Sequence, residues 1–188
     1  LAQRGVKVLL LEKSFLAAGA TGRSSGLVRM HYDLELESRL AWESFQYFRD
    51  WRERVGGDCG FTRTGFIFIS PPKHTDALKS NIQMHQRIGI PSLLVTSQDV
   101  RRLAPYFFVD DFDFAAFEPE SGYADPNSST HAFIEASRRS GAEIVQDCPV
   151  TDIILNGGKV KGVRTAKGDF ASPIVVNAAG AWAARVAQ

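Results

Sequence analysis

The feature that most constrains the fold is the apolar stretch Val6–Leu11 (VKVLLL), which ends directly at Glu12. Because the stretch is almost uniformly apolar, a strand here would not leave one face in water, and a central parallel strand is predicted. The preceding residues, LAQRG, fit the last turn of a helix that ends at Gly5. A helix, a glycine, a buried strand and a terminal acid are typical of the second half of a dinucleotide-binding βαβ unit. The alternative is that this order of helix, strand and acid is a coincidence.

The glycine-rich turn that such a unit contains is not found in the sequence. A GxGxxG turn precedes the acid by about 20 residues in that unit, whereas eleven residues precede Glu12 and no GxG occurs. We therefore expect these glycines to lie upstream of Leu1. On this interpretation the sequence is a fragment, and it is not expected to hold the dinucleotide tightly by itself.

A second segment of unusual composition, residues 19–29 (GATGRSSGLVR), follows the predicted strand. It collects small residues, three hydroxyl side chains and two arginines at the exit of an apolar strand. One interpretation is a plain surface loop. The other is a loop whose small residues let the backbone approach a ligand.

Composition and charge narrow the class of protein. The chain has 188 residues, of which 44% are hydrophobic and 23% charged, as in ordinary globular proteins. A net charge of +1 gives no indication of nucleic acid as a partner. No apolar run approaches the ~20 residues of a membrane span, and no signal peptide is visible. Cys59 and Cys148 form no CxxC pair, so no metal site is predicted. We predict a reducing location, the cytoplasm or, in a eukaryote, the mitochondrial matrix.

The middle of the chain mixes helical and strand patterns. Helices are predicted over Glu35–Val55, His74–Ile88, a short segment N-capped by Ser97, and Asn127–Ser140 with Asn127 as its N-cap; strands are predicted over 65–70 and 112–123.

The last part of the chain reads mainly as strands. AEIVQ is predicted as a short strand, and the Asn156-Gly157-Gly158 turn predicts a hairpin within a three-stranded meander. Ile174–Val176 is predicted as a buried strand that shares one parallel sheet with residues 6–11, and a helix is predicted from Gly180. Both ends of the chain thus resemble a nucleotide-binding domain. The predicted domains are residues 1–45 with 143–188, and an inserted domain over 46–142.

Four segments together resemble one known family: VLLLEKSFLAAGATGRSSGLVR, FTRTGFIFIS, FEPESGYADPNSS and VVNAAGAWAARV. In this order they are similar to the FAD-dependent amine and amino-acid oxidoreductases of the D-amino-acid oxidase superfamily. The sarcosine oxidase, dimethylglycine dehydrogenase and glycine oxidase branch fits best. The resemblance covers nearly the whole chain. It implies an α/β fold, in which an FAD-binding, Rossmann-like parallel sheet with a β-meander is interrupted by an inserted α+β substrate domain.

The resemblance also implies which residues bind FAD. They are Glu12, Lys13, Ser14, Gly22, Arg23, Ser24, Ser25, Arg29, Val150, Ala178, Ala179, Gly180 and Trp182.

Some of these residues have a specific implied role. Glu12 matches the acid that binds the adenosine ribose, and Arg29 matches an arginine beside the flavin ring, which makes it the predicted catalytic residue. Val150 matches a residue whose backbone contacts adenine, but it also fits ordinary strand core. Arg23 also fits a solvated charge. Some relatives carry a histidine at or near positions 24 and 25 that in some holds the flavin covalently; both residues are serine here, which excludes covalent attachment at this segment.

The activity that the resemblance implies is oxidation of a C–N bond in a small amine or amino acid by hydride transfer to FAD. The second substrate would be O2 or an electron-transfer partner. His31 and Tyr32 are further candidates for substrate contacts. Two alternatives stay open: an assembly or interaction protein with a flavin fold but no turnover, and a dehydrogenase of the same superfamily that acts on a hydroxy acid or glycerol phosphate.

Overall fold

The computed structural model of the protein describes residues 1–187. These form two compact units, one from residues 1–24 together with residues from 130 onward, and one from residues 25–129. The strands are β1 (Leu9–Leu11), β2 (Leu27–Val28), β3 (Thr62–Arg63), β4 (Phe66–Ile69), β5 (Leu93–Thr96), β6 (Phe114–Glu118), β7 (Gly122–Tyr123), β8 (Glu143–Val145), β9 (Val150–Asn156), β10 (Lys159–Thr165) and β11 (Gly168–Ala171). The α-helices are α1 (Glu35–Arg49), α2 (Trp51–Arg54), α3 (Thr75–Ile88), α4 (Ser97–Leu103), α5 (Pro126–Arg139) and α6 (Ala183–Val186). Short 3-10 helices cover Ala2–Arg4, Thr21–Arg23, Pro72–His74 and Gly180–Trp182.

The first unit contains a parallel strand pair and an antiparallel meander. β1 and β8 run parallel, with Leu9 opposite Glu143 and Leu11 opposite Val145. Hydrogen bonding continues past the strand, because the Glu12 amide donates to the Val145 carbonyl at 2.9 Å. Glu12 therefore stands at the carboxyl end of a parallel strand, as the sequence predicts.

The meander has the order β11-β10-β9. Its first hairpin turns at Gly157 and Gly158, whose φ angles of 57° and 74° match the turn that favours two glycines. This predicted hairpin is confirmed.

Two predictions about the parallel sheet are wrong: that residues 6–11 form one buried strand, and that residues 174–176 form a second buried strand of the same sheet. β1 is shorter than residues 6–11, and its Leu9 and Leu10 are 38% and 39% exposed. Residues 174–176 form no strand within the described chain, and Ile174 and Val176 are 75% and 70% exposed. Local hydrogen bonds accompany this difference. The Ser172 hydroxyl accepts the Ile174 amide at 3.2 Å and donates to the Ile174 carbonyl at 2.7 Å, which occupies backbone groups that a ladder would need.

The core of the second unit lies on both faces of the β4-β6-β5 sheet. Ala115 of β6 packs with Val100 of α4, whereas the next residue, Ala116, packs with Leu78 and Ile82 of α3. Successive side chains of a strand point to opposite faces, so β6 is covered on each face by one helix. Three short strands form a second, smaller sheet in this unit, in the order β2-β7-β3.

The predicted helices near residues 74–88, 97–103 and 127–140 are found with shifts of one residue or less, whereas the helix predicted over Glu35–Val55 is divided at Asp50 into α1 and α2. The strand predicted over 112–123 is likewise divided, into β6 and β7. Two predicted N-caps are wrong. Thr96 caps α4, because its hydroxyl accepts the Asp99 amide while the Asp99 carboxylate accepts the Thr96 amide; Ser97 is already helical. α5 begins at Pro126, and the Asp125 carboxylate accepts the Ser128 amide at 2.6 Å. Proline suits the first helical position because its missing N–H would have no partner there.

Among residues 1–187, no helix has the length and apolar character needed to cross a bilayer. The limits of the predicted domains remain a prediction.

Candidate functional site

The Glu12 carboxylate is half-buried just beyond β1. Its Oε1 accepts the Ser14 amide at 2.8 Å, and the Ser14 carbonyl accepts the Asp147 amide at 2.8 Å, so the turn after the strand is held in place. A carboxylate offers about four acceptor positions, and further ones suit neighbouring hydroxyl donors such as those of a ribose. Lys13 is exposed.

Two predicted cofactor-binding segments lie together in the first unit. The Gly22 amide donates to Ala17 and the Ser24 amide to Thr21, which closes one 3-10 turn around Arg23. A side chain added at Gly19 would have its Cβ 3.9 Å from the Trp182 ring. Residues 19–24 and the AAGAW segment therefore approach each other although they are far apart in the sequence.

The AAGAW segment presents open backbone. Asn177 organises it, since its Oδ1 accepts the Ala179 amide at 3.2 Å and its Nδ2 donates to the Ala183 carbonyl at 2.8 Å. Gly180 has a φ of 56°, and no neighbouring atom lies within 4 Å of the position a Cβ would take. Ala178 is exposed, Ala179 is half-buried, and Trp182 is exposed by 43%.

The donors and acceptors of this unit fit FAD. An acid at a strand end, small residues in a tight turn and an open glycine backbone are among the groups that bind a dinucleotide. Val150 opens β9, pairs with Thr165 and is half-buried, a position that suits either strand packing or an adenine contact. The role of each predicted residue remains a prediction.

Arg29 and Ser25 belong to the second unit. Arg29 is half-buried after β2, and its guanidinium donates to the His31 carbonyl oxygen. The guanidinium carbon lies 4.5 Å from the centre of the Tyr32 ring and 5.5 Å from that of the Phe66 ring. These contacts fix the side chain by cation–π attraction. Ser25 is exposed.

His31 lies inside the second unit and is 1% exposed. Its ring stacks on Phe68 at 4.5 Å and meets the His85 ring edge at 4.7 Å. Burial lowers the pKa of His31 to about 4, helped by His85 and Arg29 and opposed by Asp33. His31 is therefore neutral at physiological pH.

The His31 ring belongs to a buried cluster of three possible metal ligands that the sequence did not reveal. His31, His85 and Glu118 each offer one ligand atom, and these three atoms lie within 4.8 Å of one another. We call these residues the His31–His85–Glu118 cluster. Their spacing matches no metal-binding motif, because the three residues come from the segment after β2, from α3 and from β6.

The comparison with known proteins decides the family. The sequence model of DAO, described as FAD dependent oxidoreductase, matches residues 1–188. The chain belongs to this family. The predicted resemblance and FAD as the cofactor of the family are thereby confirmed.

Individual relatives agree with this assignment. Human mitochondrial sarcosine dehydrogenase is 29% identical over 187 residues, which cover 96% of this chain and 20% of the relative. The mouse mitochondrial pyruvate dehydrogenase phosphatase regulatory subunit is 29% identical over 179 residues, covering 94% of this chain and 20% of the relative. The crystal structure of L-proline dehydrogenase from P. horikoshii superimposes with a TM-score of 0.91 at 29% identity, covering 98% of this chain and 49% of that one.

The chain thus spans about a fifth of these two sequence relatives and half of the solved structure. The structural match confirms the predicted α/β fold class.

Proposed function

We propose that the full-length protein oxidises the C–N bond of a small amine or amino acid, of the sarcosine, glycine or D-amino-acid type. The observation that carries the proposal is family membership over the whole chain together with the shared position of Glu12, residues 19–24 and AAGAW in one unit. The names of sarcosine dehydrogenase and L-proline dehydrogenase support amines as substrates. Bound FAD would accept the hydride equivalent, and the imine product would hydrolyse in water.

The chain's own residues have distinct tasks in this proposal. Glu12 binds the ribose hydroxyls through its carboxylate oxygens. The open backbone around Gly180 lets amide groups approach the cofactor. Arg29 supplies the positive charge of its guanidinium. Its contacts with Tyr32 and Phe66 hold that charge in one place, so that it favours negative charge that develops nearby.

The electron acceptor and the location are part of the same proposal. The acceptor is O2 or an electron-transfer protein. The location is the cytoplasm, or the mitochondrial matrix in a eukaryote. Cys59 and Cys148 support a reducing compartment, since both are buried thiols without a disulfide.

A second candidate function is regulation without turnover. It is favoured by the similarity to the pyruvate dehydrogenase phosphatase regulatory subunit. The sequence identity of this subunit to the chain, 29%, is the same as that of sarcosine dehydrogenase. On this hypothesis the cofactor-binding residues only stabilise the fold, and the function of the fold is to bind another protein.

An anaerobic substrate panel separates the two functions. The full-length protein, loaded with FAD, is mixed with sarcosine, dimethylglycine, glycine and D-alanine, and in parallel with lactate and glycerol 3-phosphate. We expect the visible absorbance of oxidised flavin to fall with one or more amines only. Loss with lactate or glycerol 3-phosphate alone would move the protein to the hydroxy-substrate class. Unchanged absorbance with every compound, in protein that dithionite still reduces, would favour the regulatory function.

A further inference from the structure

We propose that the His31–His85–Glu118 cluster binds one divalent first-row transition ion, with Zn²⁺ as the best-fitting member of the class. The ion would join the segment after β2 to α3 and β6 inside the second unit. The ion would serve to stabilise this unit, and its proposal does not rest on the proposed amine oxidation.

The side chains of the cluster are enclosed but incompletely satisfied. His31 is 1% exposed, and His85 and Glu118 are 0% exposed. Both ring nitrogens of His31, Nδ1 of His85 and Oε1 of Glu118 have no hydrogen-bond partner. Buried polar atoms without partners cost free energy, and native proteins seldom leave several of them together. A cation bound between them would satisfy one atom on each side chain.

The remaining polar atoms are held in the manner of metal ligands. His85 Nε2 lies 2.9 Å from the Tyr32 carbonyl oxygen. A carbonyl only accepts, so Nε2 carries the proton and the Nδ1 lone pair is available. Ligating histidines commonly donate their other ring N–H to such a carbonyl.

Glu118 shows the same division between its two oxygens. Oε2 accepts the Met30 amide at 2.9 Å and the Ser121 hydroxyl at 2.8 Å, which leaves Oε1 for an ion. The stack on Phe68 fixes the plane of the His31 ring. The surrounding contacts therefore select one ligand atom on Glu118 and one on His85.

The distances and the donor types favour a transition ion. Bonds of ~2.0–2.2 Å to a tetrahedral Zn²⁺ place ligand atoms about 3.3–3.6 Å apart. The three ligand atoms lie within 4.8 Å of one another, so side-chain movements of about 1 Å would bring them to this spacing. Two imidazoles and one carboxylate suit Zn²⁺ and its neighbours, whereas Ca²⁺ and Mg²⁺ prefer oxygen ligands. The Arg29 guanidinium at the His31 carbonyl adds positive charge and weakens binding, so the test uses an excess of ion.

The test measures metal content and thermal stability of the full-length protein. The protein is stripped with a chelator, incubated with excess Zn²⁺, dialysed and analysed by elemental mass spectrometry. We expect one Zn²⁺ per chain and a Tm that rises with the logarithm of free Zn²⁺. X-ray absorption at the zinc edge should show scattering from two imidazole rings.

Two conservative variants keep the fold while removing ligands. Glu118→Gln retains an oxygen that accepts the Met30 amide, and His85→Gln retains an amide that donates to the Tyr32 carbonyl. Both should lose the bound Zn²⁺ and the Zn²⁺-dependent rise in Tm. His74→Gln and His131→Gln change exposed histidines and should lose neither.

The proposal is overturned by either of two results. One is a wild-type protein that retains no Zn²⁺, Co²⁺ or Ni²⁺ after dialysis and shows no shift in Tm. The other is Zn²⁺ bound equally well by wild type and by Glu118→Gln.

Discussion

Gly26 is the position at which a single methyl group should disturb the second unit most clearly. Its φ is 70°, a conformation that residues with a side chain rarely adopt. An added Cβ would overlap the Ala124 carbonyl oxygen and lie 3.3 Å from Pro126 Cδ. The Ala124 amide also donates to the Gly26 carbonyl at 2.9 Å, so neither segment can move away without losing this hydrogen bond.

The magnitude follows from two separate costs. The left-handed conformation costs a residue with a Cβ roughly 1–2 kcal/mol. Forcing a methyl group against packed backbone adds about 1–3 kcal/mol. Gly60 is the matched control, because its φ is 65° but its nearest neighbour, Asp125 Cβ, lies at an ordinary 3.4 Å. Gly60→Ala should therefore cost only the first amount, and Gly26→Ala the sum.

Urea unfolding measures the difference. In the 188-residue chain carrying Trp182→Phe, the two other tryptophans, Trp42 and Trp51, lie in the second unit and report its unfolding by fluorescence. We expect the free energy of unfolding to fall by about 2–5 kcal/mol for Gly26→Ala and about 1–2 kcal/mol for Gly60→Ala, with an unchanged m-value. Equal losses in the two variants would refute the argument that the Ala124 carbonyl blocks this position.

Three further predictions concern cofactor, rate and thiols. Glu12→Gln should weaken FAD binding about 10- to 100-fold in a fluorescence titration, since hydrogen bonds to a charged group contribute ~1.5–3 kcal/mol; Glu143→Gln, exposed on the neighbouring strand, should bind FAD normally. Arg29→Ala should slow flavin reduction ~10²–10³-fold in rapid mixing, and Arg29→Lys should recover part of it; a wild-type rate would leave Arg29 a packing role only. Burial raises the pKa of the Cys59 thiol, and Cys148 is fully buried, so neither should react with a thiol reagent before denaturation; rapid labelling of native protein would contradict this.

The sequence predicted the helices and the meander well because their signals are local. The α3 pattern ends at Gly89, which has a φ of 101°, and the paired glycines at 157 and 158 determine the hairpin. The predicted N-caps of α4 and α5 are wrong, because neighbouring polar residues compete for the same amides. Thr96 replaces the predicted Ser97 since Asp99 can reciprocate its hydrogen bond.

Predictions that depend on non-local contacts were less successful. An apolar run such as residues 174–176 predicts burial, but burial requires a neighbour that sequence patterns do not identify. Instead of pairing with a strand, Ile174 forms two hydrogen bonds with the Ser172 hydroxyl. The His31–His85–Glu118 cluster was missed for the same reason, because only the folded chain brings its three residues together. The approach of Gly19 to Trp182 is likewise a contact that only the folded chain shows.

The central claim, that the full-length protein oxidises a C–N bond with FAD, is tested most directly by stoichiometry under anaerobic conditions. Protein with bound FAD is mixed with the amine that reduces it, and the reduced flavin, the carbonyl product and the released amine or ammonia are quantified in the same sample. We predict equal amounts of all three. Oxidation of one C–N bond transfers one hydride equivalent to one flavin, and hydrolysis of the imine then releases one carbonyl product and one amine or ammonia. Flavin reduction without carbonyl product, or no reduction by any amine, would contradict the account.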